Sequence, residues 1–591
     1  MEEQKQIRIA APEADLDSLA VCEPTVDSLA SWIMSLPMAN TADTAAQVRQ
    51  TTYELARLRV SAKTRLTLLE QIRPIVNYLC TRMDRSAGTS NTHGDAIARL
   101  AQRLQTNLCS GYKAVVVELL AAAGDNPPDL EPLRLAIHRA LSDLSRTLLR
   151  TLQFYVAPAD KLWLELNQLY LLAERMELAD LALEDPENHE SQTISPKTLY
   201  LRAMLLATCK PNQLRPRQLQ EIFTCLEVWA THASLEKGET DALFAVDLQS
   251  DQGPKYSRLL KNAAEPRRIH TETLVYELES HSRNLSTAAI VPASLSAGLV
   301  SHLADAWGML KPRAQKRATT SLEMKLCVGI RAAHYFLSGG VPFPDQTASS
   351  DTLLHRELNP FLINQEKREK TRKEATKDIW DDAFDLRVRI PENPDIADPD
   401  RILLQGYARN QLESAVAREA ADGANAYRVY DATATDTSPG GYRLQWNDPL
   451  PANLQTGELA ALREESDNRW CVGVIRWIRQ DREGTSMGIE LLSPRAIPVA
   501  VRIVQKRGGP TDYARALMLP ELAPINQPAT LITPLVPFHS GQKVHIHRQG
   551  IQSTAQLQQC QQHTESFNQF TFRLLAGYLE NTQVTLKMAD Q

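Results

Sequence analysis

The sequence predicts a multidomain α + β protein, in which an all-α helical bundle or solenoid precedes a C-terminal antiparallel β-barrel region. Apolar residues recur at steps of three or four up to about residue 340, and after residue 425 the apolar period changes to two. The chain has 591 residues, which is too long for one ordinary domain. Because 43% of the residues are hydrophobic, most of the chain can bury a core.

Composition and motifs exclude several classes of protein. The formal net charge of −6 argues against a chain whose whole surface binds DNA or RNA. No apolar run approaches the ~20 residues that a membrane span needs, and the first residues lack a secretory apolar core, so we expect a cytoplasmic protein. The eight cysteines form no C-x-x-C pair, and no G-x-S-x-G, H-E-x-x-H, phosphate-binding-loop or dinucleotide-binding motif occurs. We therefore expect no metal site, no cofactor and no enzyme activity.

The N-terminal half reads as helices. Residues 1–40 are acidic and irregular, which predicts a flexible arm, and residues 41–340 then follow the helical period. The block Lys161–Glu174 spaces Trp, Leu, Tyr and Ala as in the first helix of a tetratricopeptide unit. Three clean copies of that unit are not present, which favours an irregular helical bundle over a helical repeat.

A linker separates the two halves. Residues 341–400 contain the charged run Glu366–Glu374 and the Pro- and Asp-rich stretch Pro391–Asp400. This composition predicts a solvated helix that leads into a linker.

The C-terminal part reads as short strands. Large apolar residues alternate with polar ones in Tyr442–Trp446, and the pattern continues in Val472–Ile478. Gly- and Asp-bearing turns connect these segments without helical spacers, which indicates an antiparallel sheet or small barrel over residues 401–507. Residues 508–591 predict an additional β-rich module with strands near Ala529–Val536, Lys543–His547 and Phe567–Leu575.

One motif contains residues that could bind a ligand. The segment Asp436-Thr-Ser438-Pro-Gly440-Gly441-Tyr-Arg443-Leu fits the pattern [DN]-x-S-x-x-G at the entry to a strand. Asp, Ser, Pro and Gly also favour tight turns for local reasons, so a purely structural hairpin explains the same residues. Both interpretations can hold at once.

With the strands that follow it, this motif resembles the PilZ domain, a small bacterial β-barrel best known as a receptor for cyclic di-GMP. The resemblance covers about residues 425–505 and leaves the helical part unexplained. It implies that Asp436, Ser438, Gly440 and Gly441 contact the nucleotide. A planar arginine fork matches the O6 and N7 acceptors of guanine. Arginines near the motif that could supply such contacts are Arg428 and Arg443.

Ligand-binding members of that family also place an R-x-x-x-R element shortly before the barrel. Roughly a strand and a turn upstream of Asp436, the sequence contains only Arg409, Arg418 and Arg428, and no such pair. Arg368 and Arg372 have the required spacing but lie more than sixty residues before the motif. They are either a displaced equivalent or the charged face of an exposed helix.

These observations lead to two functional hypotheses. The first is a signalling receptor and effector, in which a barrel that senses cyclic di-GMP acts on a helical platform that binds a protein partner. The second is an adaptor or scaffold whose PilZ-like barrel binds no nucleotide and acts only through protein contacts.

Overall fold

The computed structural model divides the chain into two compact units. The first unit comprises residues 1–317, 449–456 and 476–488, and the second comprises residues 318–448, 457–475 and 489–591. Within them the structure describes residues 7–38, 40–87, 92–124, 126–238, 241–283, 290–309, 317–347, 427–446, 454–481, 484–504, 512–522 and 527–576.

Helices make up most of the first unit. Typical capping residues begin several of them: Ser195 Oγ accepts a hydrogen bond from the Thr198 amide, 3.2 Å away, and Pro196 occupies the first turn. In chain order the helices are α1 (Val26–Met34), α2 (Thr41–Arg57), α3 (Ala62–Ala87), α4 (Thr92–Ala123), α5 (Leu130–Gln153), α6 (Leu162–Arg175), α7 (Pro196–Thr208), α8 (Pro216–Trp229), α9 (Glu272–Ser282) and α10 (Ala297–Gly308).

The aromatic residues of α6 belong to the core of this bundle. The Tyr170 ring stacks on Tyr200 of α7 with centroids 4.4 Å apart, and the Tyr200 hydroxyl donates to Asn167 Oδ1 at 2.6 Å. Both tyrosines are buried in one apolar cluster that extends through α1–α10. The spacing that resembles a tetratricopeptide helix therefore reflects core packing.

Strands interrupt the helices, so the prediction that residues 41–340 are all-helical is wrong. Two strands pair as a short hairpin, and four others form an antiparallel sheet in the order β3-β6-β4-β5. These strands are two to five residues long, too short for an alternating pattern to stand out from helical spacing. They are β1 (Leu183–Glu184), β2 (Thr193–Ile194), β3 (Ser234–Lys237), β4 (Phe244–Asp247), β5 (Lys255–Tyr256) and β6 (Pro266–His270).

The described part of the expected N-terminal arm also packs onto the bundle. Leu19, Leu29 and Leu36 are buried in the helical core, and the Arg59 amide donates to the Leu16 carbonyl at 2.7 Å. The prediction of a flexible arm is wrong for residues 7–38, because a few leucines between the acidic residues bury enough apolar surface to fix the segment.

The first barrel is closed and antiparallel, with the strand order β10-β11-β12-β9-β8-β7. Alternate side chains of its strands point into the barrel and out to solvent. Leu444 and Trp446 are buried, whereas Arg443, which directly precedes Leu444, is exposed. Its strands are β7 (Ala318–Val328), β8 (Tyr430–Ser438), β9 (Gly441–Trp446), β10 (Leu459–Glu464), β11 (Cys471–Asp481) and β12 (Gly484–Ser493).

Strand β7 lies far from the other strands in sequence, since residues 329–429 separate it from β8. Two helices follow it, α11 (Ile330–Leu337) and α12 (Phe343–Thr347). The predicted barrel boundary at residue 401 is therefore wrong, because the barrel begins at Ala318. The rest of the predicted linker, after Thr347, lies outside the described residues.

The C-terminal β-rich module is a second closed antiparallel barrel with the order β13-β14-β15-β18-β17-β16. Its first strand begins before the predicted boundary at residue 508, so that boundary is also wrong. The strands are β13 (Ile497–Ile503), β14 (Ala514–Leu519), β15 (Thr530–Pro534), β16 (Lys543–Arg548), β17 (Ile551–His563) and β18 (Phe567–Ala576).

Helix α11 packs against strands of both barrels. Its Ala333 shares a buried cluster with Cys327 of the first barrel and with Leu517 and Phe567 of the second. His334 of the same helix bonds through Nε2 to the Val499 carbonyl at 3.2 Å. The two barrels of the second unit thus share a core.

Candidate functional site

The hairpin between β8 and β9 presents the [DN]-x-S-x-x-G motif. Asp436 pairs with Arg443, Thr437 with Tyr442, and Ser438 with Gly441, which leaves Pro439 and Gly440 as a two-residue turn. The turn interpretation of these residues is therefore correct.

A β-bulge at Thr435 decides which way the motif faces. Ala434 pairs with Leu444, and both are fully buried inside the barrel. In a regular strand Asp436, two residues later, would point inward as well. The extra residue in β8 instead places Asp436 opposite the exposed Arg443, so Asp436 and Ser438 face outward.

The side chains on this outward face are close but not tightly bound to one another. Asp436 Oδ2 lies 3.8 Å from Arg443 Nη1, and the two side chains are 25% and 45% exposed. The Ser438 hydroxyl donates to the Gly441 carbonyl at 3.3 Å. The face thus offers a carboxylate, a hydroxyl and a guanidinium that solvent reaches.

Gly441 is required by close packing behind this face. Its φ is +154°, and a Cβ added there would overlap the carbonyl oxygen of Ile489 on β12. The Gly440 carbonyl accepts a hydrogen bond of 2.9 Å from the Leu491 amide of the same strand. These glycines hold the turn against β12, so they position the outward residues whatever else they contact.

Three family models match consecutive parts of the chain. They describe the N-terminal domain of the cyclic-di-GMP receptor FimW over residues 27–240, its middle PilZ domain over 243–498, and its C-terminal β-barrel domain over 499–575. The chain is also 33% identical to the cyclic-di-GMP receptor FimW of Pseudomonas aeruginosa, across 97% of this chain and 94% of that protein. The chain belongs to the FimW family. No solved structure matches it.

The FimW middle-domain match contains an arginine pair that the sequence analysis missed. Arg313-Ala-Gln-Lys-Arg317 has the R-x-x-x-R spacing and ends at the peptide bond to Ala318, the first residue of β7. Ala318 pairs with Thr437, and Thr319 pairs with Asp436. Arg313 lies outside the described residues. The expectation that no such pair precedes the barrel is wrong, because the barrel begins at β7 and not at β8.

The structure does not bring Arg428 to the hairpin. Arg428 precedes Tyr430, which pairs with Leu326 at the far end of β8. Since β8 has nine residues, its two ends lie roughly 26 Å apart, which no arginine side chain spans. Arg428 therefore lies too far from the hairpin to share a site with Asp436 and Ser438. Arg368 and Arg372 lie outside the described residues.

Two kinds of feature are absent from the described ranges. No group of three or more His, Cys, Asp or Glu residues there could hold a metal ion. No helix in those ranges combines the length and the apolar composition needed to cross a bilayer.

Proposed function

We propose that this chain is a signalling receptor that binds cyclic di-GMP on the outward face of the β8–β9 hairpin. One observation carries the proposal: the bulge turns Asp436 and Ser438 outward beside the start of β7, and Arg313 and Arg317 directly precede that strand in sequence. The relative from Pseudomonas aeruginosa is itself named a cyclic-di-GMP receptor.

The arginine pair would recognise the guanine bases. Each guanine presents O6 and N7 as adjacent acceptors, which a guanidinium matches with two parallel hydrogen bonds, and its planar group also stacks on rings. Arg317 is one residue from β7, so the backbone of the strand limits where its side chain can reach. We assign both arginines this role.

The hairpin would bind the polar edge of the ligand. The Asp436 carboxylate accepts hydrogen bonds, as the exocyclic amine of guanine requires, and Ser438 offers a hydroxyl. Arg443 already lies 3.8 Å from Asp436, so its guanidinium can turn toward a ligand phosphate without losing a tight ion pair. Gly440 and Gly441 hold this surface in place.

The helical first unit would then serve as the platform for a protein partner, in a cytoplasmic protein without a catalytic step or a role in binding DNA or RNA. The alternative of an adaptor that binds no nucleotide rested on the absence of an arginine pair near the barrel. Arg313 and Arg317 supply that spacing, so the alternative loses its main support.

Isothermal titration of the purified full chain with cyclic di-GMP tests this proposal. Arg317→Ala should weaken binding roughly 5- to 150-fold, because a bidentate guanine contact is worth about 1–3 kcal/mol. Arg428→Ala removes the same charge at the far end of β8 and serves as the matched control, with an expected change below about twofold.

Two results would overturn the proposal. One is the absence of binding heat from the unmodified chain at nucleotide concentrations up to about 100 μM. The other is an equal loss of affinity in Arg317→Ala and Arg428→Ala. Charge reversal of Arg368 and Arg372 should leave the affinity unchanged, and a loss there would move the arginine pair to those residues.

A further inference from the structure

The second barrel is a basic module in an acidic chain. Residues 497–576 contain seven Lys and Arg against three Asp and Glu, whereas the whole chain has a formal net charge of −6. The strands β13, β14, β16, β17 and β18 themselves contain no Asp or Glu. Charge is therefore distributed very unevenly along the sequence.

Strand register places Arg502 and Lys543, with two histidines, on one outer face of the barrel. Val501, Val544 and Ile546 point into the barrel core, so their neighbours point outward. Arg502 of β13 pairs with His545 of β16, and Ala500 of β13 pairs with His547 of β16. Lys543 precedes His545 by two residues on β16, so it points to the same side of the sheet. We call this set the basic face; it consists of Arg502, Lys543, His545 and His547.

At the centre of the basic face four side chains form a compact cluster. The Arg502 guanidinium lies over the Tyr513 ring, 4.5 Å from its centroid, and the His547 ring is 5.5 Å from the same centroid. Gln552 Oε1 accepts hydrogen bonds from Arg502 Nη2 at 3.2 Å and from the Tyr513 hydroxyl at 3.1 Å. The cluster fixes the orientation of the arginine.

Two polar atoms of this cluster are left without a partner. Arg502 Nε and His547 Nδ1 are buried and make no hydrogen bond to any described residue. Burial, together with the nearby Arg502 charge, lowers the pKa of both His545 and His547.

We propose that the basic face is a docking surface for a carboxylate-rich segment of a partner protein. Charge complementarity selects an anionic partner. The residue types favour a protein partner. Arg and Tyr are enriched among the residues that contribute most to protein–protein binding, whereas a surface for single-stranded nucleic acid needs exposed aromatic rings on which bases stack. Here the Tyr513 ring is covered by Arg502.

Fluorescence anisotropy with the full chain and a labelled peptide of ten glutamates tests the proposal, with a peptide of ten glutamines as the neutral probe. Lys543→Glu and Arg502→Glu should each weaken binding of the acidic peptide about tenfold, since close charge pairs across interfaces are worth more than ~1.5 kcal/mol. Arg217 is an exposed residue of α8, outside the second barrel. Arg217→Glu makes the same charge change there and should alter the affinity less than about twofold.

None of the hydrogen bonds and ring contacts of the Arg502 cluster involves Lys543, so its variant separates lost charge from lost folding. Hydrogen exchange of β16 provides the direct check. Equal effects of Lys543→Glu and Arg217→Glu would overturn the proposal. Binding of a ten-nucleotide dT strand in place of the acidic peptide, with the same loss in Lys543→Glu, would also overturn it. Cyclic di-GMP is left out, so failure here does not bear on the hairpin site.

Discussion

The two closed barrels use glycine for different purposes. In the first barrel, Gly441 and Gly473 lie where a Cβ would overlap residues of β12, so these glycines permit close packing between strands. In the second barrel, Gly541 and Gly550 have φ values of +86° and +82°, and nothing lies within 4 Å of an added Cβ. These glycines serve only the turn conformation. Side-chain size therefore limits the barrel that carries the hairpin motif more strictly than the barrel that carries the basic face.

Substitution of glycine tests this difference most strongly. Gly441→Ala should destabilise the first barrel by more than about 3 kcal/mol, because the overlapped atom is a backbone oxygen that cannot rotate away. Gly550→Ala should cost only about 1–2 kcal/mol, the penalty for a left-handed conformation in open space. Hydrogen-exchange mass spectrometry resolves the two barrels by peptide, and similar loss of protection in both variants would remove the distinction.

The contact that joins the barrels should respond to acid. Burial of His334 on α11, together with the charge of the nearby Arg515, lowers the pKa of its imidazole to about 4. Its pKa in the unfolded chain is near 6.5, so the fold favours the neutral ring. The stabilisation is complete above about pH 6.5 and is lost as the pH falls toward 4, by up to about 3 kcal/mol.

His334→Gln removes the titrating group and should flatten this acid dependence in peptides of β13 and β14. His539→Gln, an exposed histidine in the same barrel, is the control and should leave the dependence unchanged. If protection in β13 falls equally between pH 7 and pH 5 in the native chain and in His334→Gln, the histidine does not connect the barrels as we infer.

Sequence patterns predicted that a helical region precedes the barrels, and they predicted the hairpin motif. They did not predict where the first barrel begins. The change of period from helical to alternating is confirmed by the two barrels. Strand β7 went unrecognised because residues 329–429 separate it from β8, and an isolated alternating segment among helices resembles part of a helix. The arginine pair before β7 was missed for the same reason.

The direction of the motif also required the structure. Alternation alone would place Asp436 on the same side as the buried Ala434, and only the pairing of β8 with β9 reveals the bulge at Thr435. A bulge inserts one residue without a distinctive sequence, so no pattern in the strand predicted it. Likewise, the basic face depends on a register among strands that are not consecutive in sequence.

In the hairpin of β11 and β12, Gly488 packs against a side chain instead of against backbone atoms. A Cβ on Gly488 would overlap the Trp477 indole, which is a side chain and can move. Gly488→Ala should therefore cost about 2 kcal/mol, less than Gly441→Ala, because small-to-large changes in packed sites cost about 1–3 kcal/mol. In a Trp477→Ala background the same change should cost about 1 kcal/mol less, which a double-mutant cycle in urea measures. Additive costs would show that the indole does not limit position 488.

The smallest effect is expected for the pair that faces solvent on the hairpin. Asp436 Oδ2 and Arg443 Nη1 are 3.8 Å apart, and both side chains are partly exposed. Their coupling in a double-mutant cycle of Asp436→Ala and Arg443→Ala should be below about 1 kcal/mol in stability, as for most exposed ion pairs. The same variants should weaken cyclic di-GMP binding much more than they change stability, because the residues face the proposed ligand rather than the core. A coupling above about 2 kcal/mol in urea unfolding would instead show that this ion pair stabilises the folded barrel, and that the two residues have a structural role.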